Sequence, residues 1–171
     1  MIAALEVSFL AKRSRAVPHA PQSGTPKLFL DSFLPYQLRA LADQVSRITS
    51  QIYGDGFDLS RPEWRVLASL VELGPVFATD ICAHSTQDKM TVSRAIANLE
   101  SKNLLVRRDA AQDRRNKRLE LTQAGQILYQ QIVPLILARE ACLLEVFSEA
   151  ERVTLQDLLT RLKQRAEELS K

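Results

Sequence analysis

Six Lys/Arg and two Asp fall between Arg107 and Arg118, in a chain whose 23 basic and 20 acidic residues leave a net charge of only +3. Positive charge is therefore concentrated in one short stretch. A cluster of this kind is an electrostatic footprint for phosphate. Within it, Asp113, Arg114, Arg115, Lys117 and Arg118 follow one another closely. Just upstream, Arg94 can make bidentate contacts to guanine and Asn98 can pair with adenine. Asp88, Lys89, Thr91 and Ser93 share the outward side of that segment, where hydroxyls and an ammonium reach phosphates or base edges. Ala95 and Ala97 are small enough for close approach. Ser85 and Thr86 precede the segment, where free backbone N–H groups at a helix start favour a phosphate.

Other chemistries find little support. There is no Gly-rich phosphate loop, no nucleophile motif and no His/Cys/carboxylate set at metal-ligand spacing, so the chain is not expected to be an enzyme and no catalytic residue is assigned. His19 and His84 with one nearby Cys make no zinc site, and neither a metal nor a cofactor is expected. Cys82 and Cys142 read as inert buried thiols, with redox sensing through them as a rival reading. No apolar run approaches the ~20 residues that span a bilayer. No basic stretch precedes the apolar N-terminal residues, so a signal peptide is not expected and a cytoplasmic location is the default.

The positioning elements follow from periodicity. Leu34, Leu38, Leu41, Val45, Ile48 and Ile52 recur at helical steps, with Asp31 or Ser32 as cap. Ser60 and Glu63 form a capping box opening a second helix that carries Trp64, Leu67, Ala68 and Val71 and stops at Gly74-Pro75. A short helix over about 79–84 leads through a turn into a helix over about 87–102, whose inward stripe is Val92, Ile96 and Leu99. Asn103 suits a left-handed stop. Leu105, Leu119 and Leu121 alternate with polar neighbours, which predicts a β-hairpin from Leu104 to Thr122 with a cationic tip. Thr122 caps a long helix to about Phe147, which Pro134 should kink. Ser148 and Glu151 open a last helix expected to bury Leu155, Leu158, Leu159, Leu162, Ala166 and Leu169. The outer helices carry more apolar surface than the small centre can cover, which implies a second copy of the chain.

The segment Asp80–Thr122 resembles the MarR (multiple antibiotic resistance regulator) family of winged helix-turn-helix transcription factors. The matching motifs are DK-x-TVSR at Asp88–Arg94, LE-x-K-x-L-x-x-R at Leu99–Arg107, and D-x-R at Asp113–Arg115 followed by Leu121, Thr122 and Gly125. Asn103 stands where the family usually has Gly, and Thr86 and Gln87 replace its common Gly and apolar residue. The resemblance implies a mainly α fold with a small β-hairpin wing: a winged helix-turn-helix with long N- and C-terminal dimerisation helices. The expected divisions are a flexible arm at 1–30, a dimerisation helix and linker at 31–60, the DNA-binding domain at 61–122 and dimerisation helices at 123–171. It further implies a homodimeric regulator of a pseudo-palindromic operator, in which Arg115 enters the minor groove and Asp113 orients it. A small-molecule effector, often aromatic and anionic, is implied to release it. The expected crevice is lined by Phe33, Leu34, Leu38, Trp64 and Leu67, with Arg39 and Arg65 as anion anchors. The stretches FLPYQLRALADQVSRI and LSRPEWRVL are similar to a branch tied to aromatic-acid catabolism, which implies phenolic acids or their CoA thioesters. A winged-helix module for protein contact is the remaining alternative, disfavoured because the outward helical face is polar.

Overall fold

The computed structural model of the chain describes residues 27–110 and 113–170, with side chains described outside 110–116. Most of the expected arm, including Lys12, Arg13, Arg15 and His19, lies outside those residues. A 3-10 turn (Leu30–Ser32) leads into α1 (Leu34–Asp55), α2 (Arg61–Leu73), α3 (Ala78–Ser85) and α4 (Lys89–Ser101). The hairpin β1 (Leu105–Ala110) and β2 (Asp113–Leu121) follows, then α5 (Gln123–Leu144) and α6 (Glu149–Leu169). The fold is mainly helical with one antiparallel hairpin among the described residues. The chain divides into two compact units, 1–45 and 46–171.

In the first unit, Asp31 and Ser32 do not cap α1 as expected. They form the 3-10 turn, whose Ser32 hydroxyl and backbone N–H both return to the Phe29 carbonyl. Leu34, Leu38 and Leu41 remain exposed.

The second unit holds the core. Val66, Leu67 and Leu70 of α2 pack with Ile81 of α3, with Val92, Ala95, Ile96 and Leu99 of α4, and with Leu105, Leu119 and Ile132. Burying such side chains contributes about 1.5–3 kcal/mol each, which makes this cluster the main source of stability. Two expectations of phase need correction. Val71 is exposed, and the buried face of α2 runs through Glu63, Val66, Leu67 and Leu70 instead. Ala95 is 2% exposed, so it packs inward rather than permitting close approach of a ligand.

Capping fixes where the elements begin. The Ser60 N–H donates to Glu63 Oε2 at 2.6 Å, and the Glu63 N–H donates to Ser60 Oγ at 3.4 Å. Asp88 caps α4, and Thr122 Oγ1 accepts the Gly125 N–H at 3.0 Å to start α5. Ser148 and Glu151 form the expected box at α6. In the hairpin Leu105 pairs with Leu121 and Arg107 with Leu119, placing the alternating leucines on one side. An isolated antiparallel bridge from Val76 to Leu119 adds a backbone pairing on the other edge of β2.

The outer helices behave differently from the expectation of burial within the chain. No residue of α6 is buried; Leu158, Leu159, Leu162 and Leu169 are exposed and Leu155 is half-buried. Among the described residues nothing fully covers these leucines. The helix α5 buries only Gly125 and Ile132, and its length and composition would allow it to cross a membrane. That corrects the expectation that no stretch qualifies, because its polar residues are too scattered to break the apolar average.

Candidate nucleic-acid interface

The outward face of α4 is built by helical phase. With Val92, Ala95, Ile96 and Leu99 buried, Lys89, Ser93, Arg94, Ala97 and Asn98 are exposed on the other side, and Thr91 is half-buried. Among the described residues no salt bridge engages Lys89 or Arg94. Met90 is 62% exposed at the start of this helix, a residue the sequence reading passed over. An exposed apolar side chain there suits the methyl group of thymine. Its signal was its place between Lys89 and Thr91, off the buried stripe.

Asp88 and Thr91 have a structural duty at this face. Asp88 Oδ1 accepts the Thr91 N–H at 2.9 Å and Oδ2 accepts the Thr91 hydroxyl at 2.5 Å. These bonds from Thr91 hold the Asp88 carboxyl below the ordinary aspartate range. The carboxylate thus closes the helix start, where orphan N–H groups need an acceptor.

The turn before α4 also departs from expectation. Thr86 is exposed with φ 53, in the left-handed region. Ser85 is only 8% exposed, so its hydroxyl faces the interior and not a phosphate. Its carbonyl accepts a hydrogen bond from Arg65 Nη1 at 3.2 Å, which commits Arg65 to the turn. His84 closes α3 beside the turn. It shares Nδ1 with Ser69 Oγ at 2.9 Å and brings Nε2 within 3.2 Å of Glu72. Together Arg65, Ser69 and Glu72 fasten the turn to α2.

In the hairpin, backbone placement puts Asp113, Arg114 and Arg115 at the start of β2, next to the tip. The other cations are paired along the strands, from the root to the last pairing before the tip. Arg107 lies 3.0 Å from Glu100, Arg108 2.7 Å from Glu120, and Lys117 3.8 Å from Asp109. The Arg118 guanidinium sits 5.6 Å from the Phe77 ring centre. The charges pooled in the sequence therefore divide between cations braced along the strands and the residues at the start of β2.

The hairpin root is locked to α4 and α5. The Thr122 hydroxyl donates to the Asn103 carbonyl at 2.7 Å while accepting from Gly125. A Cβ on Gly125 would stand 2.1 Å from the Leu104 carbonyl oxygen, so only glycine permits this approach.

The residues expected to line an effector crevice fall in both units. Phe33, Leu34 and Leu38 are exposed, and Arg39 lies 3.7 Å from Asp43 on the same helix. Leu67 is 0% exposed, a core residue and not a cavity wall. Trp64 is stacked between Tyr53 and Tyr129, each ring centre 5.7 Å away. Burial raises the Tyr53 phenol above its usual range, against the pull of Arg61 and Arg65. A cavity of about 420 Å³ does occur in the second unit, lined by Leu70, Val71, Leu121, Tyr129, Glu120, Gln126 and Gln130. None of the seven expected residues lines it. Cys82 is half-buried and Cys142 exposed, which corrects the expectation that both are buried.

Comparison with known proteins agrees with this geometry. Residues 57–116 match the MarR family. The HTH-type transcriptional regulator FarR of Neisseria gonorrhoeae is 27% identical over 105 residues, covering 61% of this chain and 72% of that protein. A MarR/EmrR family transcriptional regulator from Acinetobacter sp. ADP1 superposes with TM-score 0.75 at 29% identity, over 82% of this chain and 99% of the other. Bordetella bronchiseptica BpsR, whose DNA binding is regulated by 6-hydroxynicotinic acid, gives TM-score 0.72 at 25% identity over 81% and 98% of the two chains. A Listeria monocytogenes MarR family regulator in complex with a 26mer DNA gives 0.70 at 27% over 78% and 88%. The polar face of α4, the braced cationic hairpin and these likenesses point the same way: residues 57–116 match the MarR family, and the chain is similar in sequence and fold to its winged helix-turn-helix, DNA-binding transcriptional regulators.

Proposed function

We propose that this chain acts as a homodimeric repressor that reads a pseudo-palindromic operator and leaves it when a small aromatic acid binds. The observation that carries the DNA reading is the outward face of α4, where Lys89, Ser93, Arg94 and Asn98 are exposed around Met90. Arg94 and Asn98 contact base edges in the major groove, and Lys89 with Ser93 meets phosphates. Thr86 offers its backbone at the turn. Arg115 enters the minor groove beside the tip, oriented by Asp113, while Arg114, Lys117 and Arg118 meet flanking phosphates. The exposed leucines of α6, with Ile127, Leu135 and Leu137 of α5, support a second copy as their cover.

The effector is a phenolic acid or its CoA thioester, acting in the bacterial cytoplasm where the operator is. Regulation of the similar BpsR by an aromatic acid supports this class. The cavity beside Tyr129 offers an apolar wall for a ring, and Gln126 and Gln130 offer donors for its polar groups. The ligand need only bind more tightly to the arrangement whose recognition helices miss the operator.

Selection of bound duplexes from a random pool tests the reading. A two-fold-related consensus bound by a dimer, and released by aromatic acids but not by aliphatic acids of equal charge, is the expected result. Recovery of no consensus, or binding as a monomer, would overturn it.

A further inference from the structure

The C-terminal end of α4 is held by an ion cluster that the DNA interface does not use. Lys102, the residue closing α4, lies 3.3 Å from the Asp58 carboxylate and 3.4 Å from the Glu63 carboxylate. Its ammonium also donates to the Asp58 carbonyl. Glu63 is 3% exposed and gives its other oxygen to the Ser60 N–H at 2.6 Å. Asp58 stands in the connection between α1 and α2 with φ 51, a left-handed conformation that few non-glycine residues adopt. One ammonium therefore joins the end of the recognition helix, the turn leaving α1 and the first turn of α2.

This cluster supplies what the core cannot. The buried side of α4 is Val92, Ala95, Ile96 and Leu99, and apolar contact is non-directional. It resists separation of α4 from α2 but sets the direction of the helix less sharply than polar bonds do. The Lys102 ammonium adds tethers at fixed places, the Asp58 backbone carbonyl and the buried Glu63 carboxylate, and so ties the end of the helix to the turn and to α2. Lys102 also cannot withdraw without leaving the buried Glu63 carboxylate short of a charge partner.

We propose that Lys102 is a positioning residue for operator recognition: through Glu63 and Asp58 it fixes the angle of α4 against the connection from α1, and with it the half-site spacing two copies accept. The inference rests on the homodimeric reading above. Half-site spacing in helix-turn-helix dimers mirrors the separation of their recognition helices, so a loosened angle appears as tolerance of wrong spacing.

The test compares three full-length chains on the selected operator and on duplexes whose centre is longer or shorter by one base pair. Wild type should discriminate among spacings by about tenfold or more. Lys102→Met should lose that discrimination to within about threefold while binding the preferred duplex about tenfold more weakly. Because Lys102→Met strands Glu63, it should also melt earlier, so Lys102→Met with Glu63→Gln is the second variant. That pair should recover the lost melting temperature and still fail to discriminate spacing. Discrimination that returns together with stability, or that survives in Lys102→Met, overturns the inference. A wild type that dimerises and binds yet ignores spacing overturns it too, while leaving the DNA reading intact. A wild type that stays monomeric overturns both.

Discussion

At the scale of the residue, charge and burial assign the duties. Arg115→Ala should weaken operator binding by about tenfold or more with an unchanged melting temperature, as measured by titration at fixed salt. Unchanged affinity would remove the hairpin from the interface. Glu63 makes a prediction about pH. Burial raises its pKa, but the Ser60 hydrogen bonds and Lys102 outweigh this and hold it below the usual glutamate range. A carboxylate whose folded pKa is depressed contributes stability that is complete above its unfolded pKa, about 4.3, and is lost as pH falls through the folded value. Glu63→Gln should therefore flatten the acid side of the stability curve and leave the neutral side parallel to wild type, as read by urea midpoints across pH. The exposure of Arg94 and Asn98 was legible in the sequence because Val92, Ile96 and Leu99 set the phase of α4. The burial of Ser85 was not, since a turn residue has no periodic neighbours to announce which way it faces. Arg65 was equally opaque: its partner, the Ser85 carbonyl, is 20 positions away in sequence.

At the scale of the element, boundaries were legible and inter-element ties were not. Ser60 with Glu63, Thr122, and Ser148 with Glu151 announced helix starts because capping is local chemistry between residues three apart. The hairpin was equally readable from alternating Leu105, Leu119 and Leu121. The knot at Thr122 and Gly125 was not, because it brings Leu104 and Asn103 from the far end of the hairpin. Gly125→Ala forces a methyl group against the Leu104 carbonyl and should destabilise the chain by about 1–3 kcal/mol, read as a lower urea midpoint. A melting curve identical to wild type would mean that the start of α5 yields freely.

At the scale of the whole molecule, the leftover apolar surface is the informative quantity. The sequence reading placed Leu158 and Leu162 in a core; among the described residues they stay exposed, and in the dimer proposed above a second copy covers them. Replacing both by Glu should convert the dimer to a monomer by sedimentation and abolish cooperative operator binding, with the second unit still folded. An unchanged dimer would move the interface off α6. Operator affinity should also fall steeply and linearly in log–log form with added salt, through release of counterions from the DNA. This whole-molecule behaviour was legible in outline from the long apolar helices, because surplus hydrophobicity is a property of composition. Which faces meet was not, since it depends on a chain the sequence mentions only by implication.

The stack of Tyr53, Trp64 and Tyr129 has an optical consequence. Trp64 is the only tryptophan of the chain, and its ring lies within 13° of parallel to Tyr53 and 12° to Tyr129. Those flanking phenols come from α1 and α5, so the indole's emission reports how closely these two helices clasp α2. Any shift that parts them alters brightness and wavelength without a label, so an effector that moves α1 or α5 away from α2 would announce itself in the protein's own light.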